Sequence, residues 1–420
     1  MTSVKENVDI QSQAREAKKA SKKVGILSTE DKNRALFILA KHLEAGYEPI
    51  LEANKLDLQI GQEAGYTPAF MDRLTLTKER IFDFAEGLRQ VAGLEDPTDR
   101  VISNWTLENG LQVKKVTVPL GVIGMIYEAR PNVTVDATGL ALKSGNAIIL
   151  KGGSSSIYTN KAIVDVVQYA LEHTKIPKEA VQFIASTDRE ATQALFTMKE
   201  YIDVLIPRGG ASLIQTVVKQ ATVPVLETGV GNCHVYIDSD ADVDKALPIL
   251  VNAKTDRPAV CNAAETVLIQ KDWFLEHKDA LVKTLQAHSI TVHGDEQTLS
   301  VIPNAVPAGE EDWANEYLSL HIAMKIVDHV HEAIDHIEQY GTKHSEAIIT
   351  ENQETADLFM KLVDASSLYH NASTRFTDGG VLGFGAEIGI STQKLHARGP
   401  MGLQALTTVK FLMTGNGQIR

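Results

Sequence analysis

The sequence predicts an α/β protein of doubly wound parallel sheets, divided into two domains. Three observations lead there. From about Val113 onward, short apolar runs alternate with helical patterns. Two of those runs pass through glycine-bearing turns on their way into helices. The chain of 420 residues and 45.8 kDa also exceeds the size at which a single core stops growing.

The elements follow in order. The first ninety or so residues are helical in pattern, with Ala35 to Leu43 continuing from a cap at Ser28/Thr29 and a second periodic segment from Ile81 to Val91. Residues 102–119 alternate like a β-hairpin. Next come a strand over 121–127, a helix over 136–143, a strand over 146–150, a helix over 157–173 and strands over 181–185 and 202–206; Arg208-Gly209-Gly210 and a further helix follow. After Asp238 a second α/β stretch begins: helix 242–254, strand 266–269, helix 274–288, strand 321–327, helix 330–339 and strand 347–349. These assignments give one domain of residues 1–101 and 120–240 and another of 241–400, with the boundary between Asp238 and Lys254. Residues 102–119 and 401–420, the latter carrying the apolar run Leu406 to Met413, fit neither sheet. Exposed edge strands of this kind pair with something, and pairing across a subunit interface, in a homo-oligomer, is expected.

Composition narrows the function. Lys plus Arg is 41 against 54 for Asp plus Glu, a formal charge of −13, which argues against wrapping nucleic acid or resting on an anionic membrane. The N-terminus has no apolar targeting core, and no apolar run approaches bilayer length. Two cysteines form no disulfide framework and no cysteine-rich metal cluster, so a reducing, cytoplasmic environment is expected. His329, His331, His336 and His344 crowd one region without an H-E-x-x-H spacing; they read as a solvated polar face, and no metal is expected.

Cys261, in Asp256-Arg257-Pro258-Ala259-Val260-Cys261-Asn262, sits beside an arginine, a turn proline and an asparagine, a setting suited to a nucleophile or to a small buried side chain. Cys233 lies in an alternating strand-like run and reads as a core residue. Lys151-Gly152-Gly153-Ser154-Ser155 and Arg208-Gly209-Gly210 each open a helix after a strand, where backbone amides attract phosphate and glycine permits close approach. The first turn carries Lys151, Ser154 and Ser155 without a carboxylate, so it suits the extra phosphate of NADP better than the bare ribose of NAD.

Three blocks carry a family resemblance: Val260 to Thr266, Ile126-Tyr127-Glu128-Ala129-Arg130-Pro131-Asn132-Val133, and Asn371 to Gly380 followed by Gly385 to Thr392 and His396 to Gly402. Over essentially its whole length the chain resembles the gamma-glutamyl phosphate reductases, a branch of the aldehyde dehydrogenase superfamily. The resemblance implies an aldehyde-dehydrogenase-like fold, with a Rossmann-type cofactor domain, an α/β catalytic domain and a small β oligomerisation element. It also implies reduction of L-glutamyl 5-phosphate to L-glutamate 5-semialdehyde with NADPH, and contact with a glutamate 5-kinase as a possible partnership. Cys261 matches the catalytic cysteine. Glu227, in Leu226-Glu227-Thr228-Gly229, matches a superfamily glutamate and lies 34 positions before the thiol. Lys151 matches the lysine that contacts the cofactor ribose, Ser154 stands where many NAD-using members carry a glutamate, and Glu316 resembles the glutamate near the nicotinamide ribose.

Two departures are evident. Glu128 to Asn132 replaces the Pro-Trp-Asn of the superfamily, so either Asn132 or Arg130 supplies the oxyanion donor. Leu-Glu-Thr-Gly lacks the second glycine of the usual motif, which leaves Glu227 without a clear role as a water-activating base. Arg257 and Arg375 are candidates for gripping the two anionic ends of the substrate. The competing expectations are a hydrolytic NAD(P)-dependent aldehyde dehydrogenase, in which Glu227 is an active base, and a non-enzymatic protein that keeps the fold.

Overall fold

The computed structural model describes residues 9–420. Five helices come first: α1 (Ile10–Val24), α2 (Thr29–Ala45), α3 (Tyr47–Glu63), α4 (Pro68–Leu74) and α5 (Lys78–Gly93). Ser28 caps α2 as expected, its side chain accepting the Asp31 N–H, which satisfies one of the orphan donors of the first turn. The antiparallel strands β1 (Val101–Thr106) and β2 (Gln112–Pro119) form the expected hairpin.

The first α/β stretch runs β3 (Val122–Tyr127), α6 (Pro131–Lys143), β4 (Ala147–Gly152), α7 (Ile157–Leu171), β5 (Val181–Phe183), α8 (Arg189–Thr197), β6 (Val204–Arg208) and α9 (Ala211–Gln220). Its four strands form a parallel sheet in the order β5-β4-β3-β6. Every residue of β3 and β4 is buried. That is why both read as unbroken apolar runs, since a parallel sheet is covered on both faces. The chain extends the sheet from β3 outward to β5 and then returns to the other side of β3 with β6. The winding therefore reverses between β3 and β6, and the crevice at the carboxyl ends of strands at such a point is the usual place for a ligand.

The second stretch contains β7 (Cys233–Ile237), α10 (Val243–Thr255), β8 (Ala264–Gln270), α11 (Lys271–Ala287), β9 (Thr291–Gly294), α12 (Glu296–Leu299), β10 (Val306–Pro307), β11 (His321–Val327), α13 (Val330–Tyr340), β12 (Ser345–Ile349), α14 (Gln353–Leu362) and β13 (Ser367–His370). The strands form a seven-stranded parallel sheet, β10-β9-β11-β8-β7-β12-β13. Alternate residues of one strand face opposite sides: Val235 and Ile237 pack with Trp273 and Phe274 on one face, Tyr236 with Ile334 and Phe359 on the other. Full burial of a side chain of this size contributes about 1.5–3 kcal/mol.

The structure divides into two compact units. One comprises the chain through Thr228 with 383–389 and 401–420; the other comprises 229–382 and 390–400. The division between the two α/β stretches thus falls at Thr228/Gly229, before the expected window at 238–254. The reason is strand pairing: β7 bonds to β8 and β12 and so belongs to the second sheet. Residues 383–389 join the first unit, where the Ile388 N–H bonds to the Met401 carbonyl. A two-residue pair, β14 (Ile390–Ser391) with β15 (Gly399–Pro400), stays with the second. The C-terminal strand β16 (Thr407–Thr414) pairs antiparallel with β2 along its length. The hairpin and the C-terminal strand, expected to seek a partner subunit, therefore pair with each other in the order β1-β2-β16. The outer strands β1 and β16 are exposed along nearly their full lengths.

Candidate active site

Cys261 lies in the loop 256–263 between α10 and β8 and is partly exposed, whereas Cys233 at the start of β7 is fully buried. The two form no disulfide. Burial pushes the Cys233 thiol well above the usual range, so it stays protonated and can donate. Its Sγ does so to the Cys261 carbonyl at 3.2 Å. Gly231 packs against the same carbonyl so closely that a Cβ there would lie 1.5 Å from the oxygen. Only glycine fits.

Asn262 is held on three sides. Its Nδ2 donates to the Thr377 carbonyl at 2.8 Å, its backbone carbonyl accepts from Thr374 Oγ1 at 2.7 Å, and its Oδ1 accepts from Arg375 Nη1. Arg375 also pairs with Asp256 at 3.3 Å. The 371–380 block thus forms the wall behind the thiol loop, and Arg375 is committed to that wall. Arg257 differs: it is exposed, its φ is 59°, and among the described residues no carboxylate pairs with it. Glu316 reaches the same neighbourhood, its Oε1 accepting the Gly231 N–H at 2.6 Å. Within the second unit, then, Cys261, Arg257, Arg375 and Glu316 gather around one loop.

The remaining site residues collect at the carboxyl edge of the four-stranded sheet, where Tyr127 is in register with Gly152 on one side and Arg208 on the other. Lys151 is buried and donates to the Gly152 carbonyl at 3.0 Å; burial holds its ammonium below the usual range, with Asp188 opposing. Ser154 is exposed at the head of a short 3-10 turn, Ser154–Ser156, that leads into α7. A buried cation beside an exposed hydroxyl at a helix entrance fits an anionic nucleotide. The second glycine turn is already in use. Gly210 donates its N–H to Glu128 Oε2 at 3.0 Å, and a Cβ on Gly209 would meet that oxygen at 2.6 Å. The negative charge at the start of α9 is therefore the chain's own carboxylate.

Asn132, in the first turn of α6, donates Nδ2 to Asp136 at 3.1 Å. Burial pushes the Asp136 carboxyl up to about 6, against the pull of Asn132 and Arg208. Arg130 is the residue from which α6 starts, and it follows Ala129 in the left-handed region at φ 40°. Glu227 directly follows Leu226, whose N–H bonds to Leu205 of β6 at 2.9 Å. Glu128, Asp136, Gly231, Thr374 and Thr377 were not singled out from the sequence. All except Asp136 and Gly231 lie inside the quoted motif blocks, and Gly231 had a signal of its own as the second glycine of Gly229-Val230-Gly231.

His329, His331, His336 and His344 do not form the expected solvated polar face. His336 and His344 are buried, and only His329 and His331 are exposed. His336 lies on the core face of α13 and is held neutral, its pKa pushed down to about 3 by burial.

The chain matches the aldehyde dehydrogenase family over residues 2–305 and belongs to that family. It is 62% identical to gamma-glutamyl phosphate reductase 2 of Bacillus licheniformis, over all of both chains. A crystal structure of the Thermotoga maritima gamma-glutamyl phosphate reductase superposes with a TM-score of 0.96 at 48% identity, covering 98% of this chain and 99% of that one. An acetylating aldehyde dehydrogenase from Geobacillus thermoglucosidasius, 18% identical, shares the fold with a TM-score of 0.70 over 98% of this chain and 97% of that one. Within the family, the branch to which the chain belongs is that of the gamma-glutamyl phosphate reductases. The family uses a nicotinamide dinucleotide.

Proposed function

We infer that Cys261 carries the glutamyl group as a thioester while L-glutamyl 5-phosphate is reduced to L-glutamate 5-semialdehyde with NADPH, the second step of proline biosynthesis from glutamate. The observation that carries this reading is the anchored, partly exposed Cys261 walled by the 371–380 block, in a chain so close to a gamma-glutamyl phosphate reductase. The Cys261 thiolate attacks the acyl carbon, the bond to the phosphate oxygen breaks, and phosphate leaves. When bound, the dinucleotide supplies the hydride that the thioester accepts. The resulting hemithioacetal expels Cys261 and yields the aldehyde.

The residues divide the work. Two oxyanions form in turn, and each needs a donor; the Cys261 amide and the Asn132 side chain are proposed, with Arg130 as the alternative to Asn132. The Asn132 amide has two hydrogens; one goes to Asp136, leaving the other for the substrate. Arg257, exposed and uncommitted among the described residues, holds an anionic end of the substrate. Lys151 and Ser154, with no carboxylate on their turn, favour the additional phosphate of NADP. Gly209 and Gly210 accept phosphate only if Glu128 yields its place, and Glu316, through Gly231, links the cofactor-facing side to the thiol loop. Glu227 has no water to activate, because phosphate and not water is the second substrate in reverse. The exposed edges of β1 and β16 are the proposed surface for homo-oligomer assembly. A cytoplasmic location and contact with glutamate 5-kinase complete the reading.

The test is turnover in the oxidative direction with the semialdehyde and NADP⁺. A strict requirement for inorganic phosphate supports the reductase, and phosphate-independent turnover would replace it with the hydrolytic enzyme. Cys261→Ala is expected to abolish turnover while leaving NADPH binding near normal.

A further inference from the structure

The second cysteine is unused by the reaction as described, yet it touches the nucleophile's own peptide. We propose that Cys233 is a positioning residue: its buried thiol pins the Cys261 carbonyl and thereby fixes the orientation of the peptide that carries the nucleophile. This rests on Cys261 being the nucleophile.

Cys233 is wholly buried at the first position of β7. Its Sγ lies 3.2 Å from the Cys261 carbonyl and 3.6 Å from Nδ1 of the buried His344. His344 Nδ1 in turn lies 2.8 Å from Ser345 Oγ, which is 2.7 Å from Thr377 Oγ1, which is 2.8 Å from the Tyr369 hydroxyl. Thr377 closes the circuit, since its carbonyl receives Asn262 Nδ2 at 2.8 Å. One polar network therefore grips the Cys261–Asn262 peptide from both ends, through Cys233 on the Cys261 oxygen and through Thr377 on the Asn262 side chain.

A planar trans peptide has its C=O and N–H antiparallel, and there is no cis peptide bond among the described residues. Drawing the Cys261 oxygen toward Cys233 and Gly231 turns the Asn262 N–H to the opposite side. The rotation of this peptide, and with it the setting of the Cys261 side chain, is thus decided by a donor 28 residues earlier in the chain. A weak S–H donor suffices because Gly231 leaves the oxygen no room on that side.

Three variants of the full-length protein test this, assayed with semialdehyde, phosphate and NADP⁺ beside Cys261→Ala. Cys233→Ala, which removes the donor, should lower kcat about 10- to 100-fold, the scale of a small misplacement of a reacting group. Thermal stability and NADPH binding should stay near wild type, and the alkylation rate of Cys261 by iodoacetamide should change. Cys233→Ser, which restores a donor of shorter reach, should recover kcat to within a few-fold of wild type. Unchanged kcat in Cys233→Ala overturns the proposal, as does an equal loss in the alanine and serine variants when both are folded. If the alanine variant does not fold, Cys233→Val serves as the donor-free variant, and wild-type kcat there would show that the cysteine only fills space. An active Cys261→Ala would sink the thioester reading itself, an outcome separate from any result at Cys233.

Discussion

The ammonium of Lys254 lies 2.5 Å from the carboxylate of Glu265, and no part of either side chain is exposed. Lys254 is in the last turn of α10 and Glu265 is the second residue of β8. The pair therefore closes the base of the loop that carries Cys261. The other Glu265 oxygen accepts the Leu318 N–H at 3.2 Å, so the carboxylate is also tied to the segment that follows Glu316. Removing one member of a buried pair strands the other charge, at a cost of about 3–5 kcal/mol. Lys254→Met should lower the unfolding free energy by about that much in a urea titration. Lys254→Met with Glu265→Leu should recover most of it, because an apolar replacement leaves no charge behind. A loss in the single variant below about 1 kcal/mol, the scale of an exposed pair, would show that the clamp contributes little.

Gly231 offers a sharper probe of the loop. A methyl group there would stand 1.5 Å from the Cys261 oxygen, so the thiol loop must move if the glycine is replaced. Gly231→Ala is expected to lower kcat at least about 100-fold. NADPH binding, proposed to depend on Lys151 and its neighbours, should change little in a fluorescence titration. A variant retaining more than a tenth of wild-type activity would mean that the loop adjusts without moving the thiol.

The Asn132–Asp136 contact predicts a pH dependence. The folded carboxyl sits at about 6 against an ordinary 3.8, because burial disfavours its charge. The folded protein thus binds more protons than the unfolded chain between those values, so this group's contribution to stability is fully present below about 3.8 and is lost as pH rises through about 6. Asp136→Asn cannot ionise and should gain stability relative to wild type as pH rises from 4 to 8, by about 1–2 kcal/mol for a partly buried site. A difference in melting temperature that stays flat across that range would remove the basis for the argument. Asn132→Ala should separately reduce kcat by about 10²–10³ if it supplies an oxyanion donor.

What could be read from the sequence was what leaves a local trace. Strands buried on both faces are continuous apolar runs, so β3 and β4 are recognisable; β11 is recognisable over the same residues, His321–Val327, although its His321 and Lys325 are partly exposed. Which sheet β7 joins depends on pairing with β8 and β12, partners that its own sequence does not specify. The same holds for the Glu128 bond to Gly210 and the Cys233 bond to Cys261, made between residues 82 and 28 positions apart. His336 is a different case. The helical period of α13 places Ala333, Ile334, His336 and Ile337 on one buried face, so periodicity, and not residue type, decides that His336 is core.

Arg257 of the thiol loop and Arg375 of the wall behind it should separate kinetically. Arg375 is spent on Asn262 and Asp256; Arg375→Ala should release the wall and lower kcat about 10-fold or more, with KM for substrate little changed. Arg257 touches no carboxylate among the described residues and is exposed. If it holds an anion equally in the ground and transition states, Arg257→Ala should raise KM with kcat nearly intact, and Arg257→Lys should fall between, keeping the charge but losing the two-pronged grip. Steady-state kinetics in the oxidative direction also identify the anion. An increase confined to the KM for phosphate places Arg257 on the leaving group, and one confined to the KM for semialdehyde places it on the α-carboxylate. Equal KM effects in the Arg257 and Arg375 variants would mean that Arg375 leaves Asn262 when substrate binds, and the wall would then be part of the binding site.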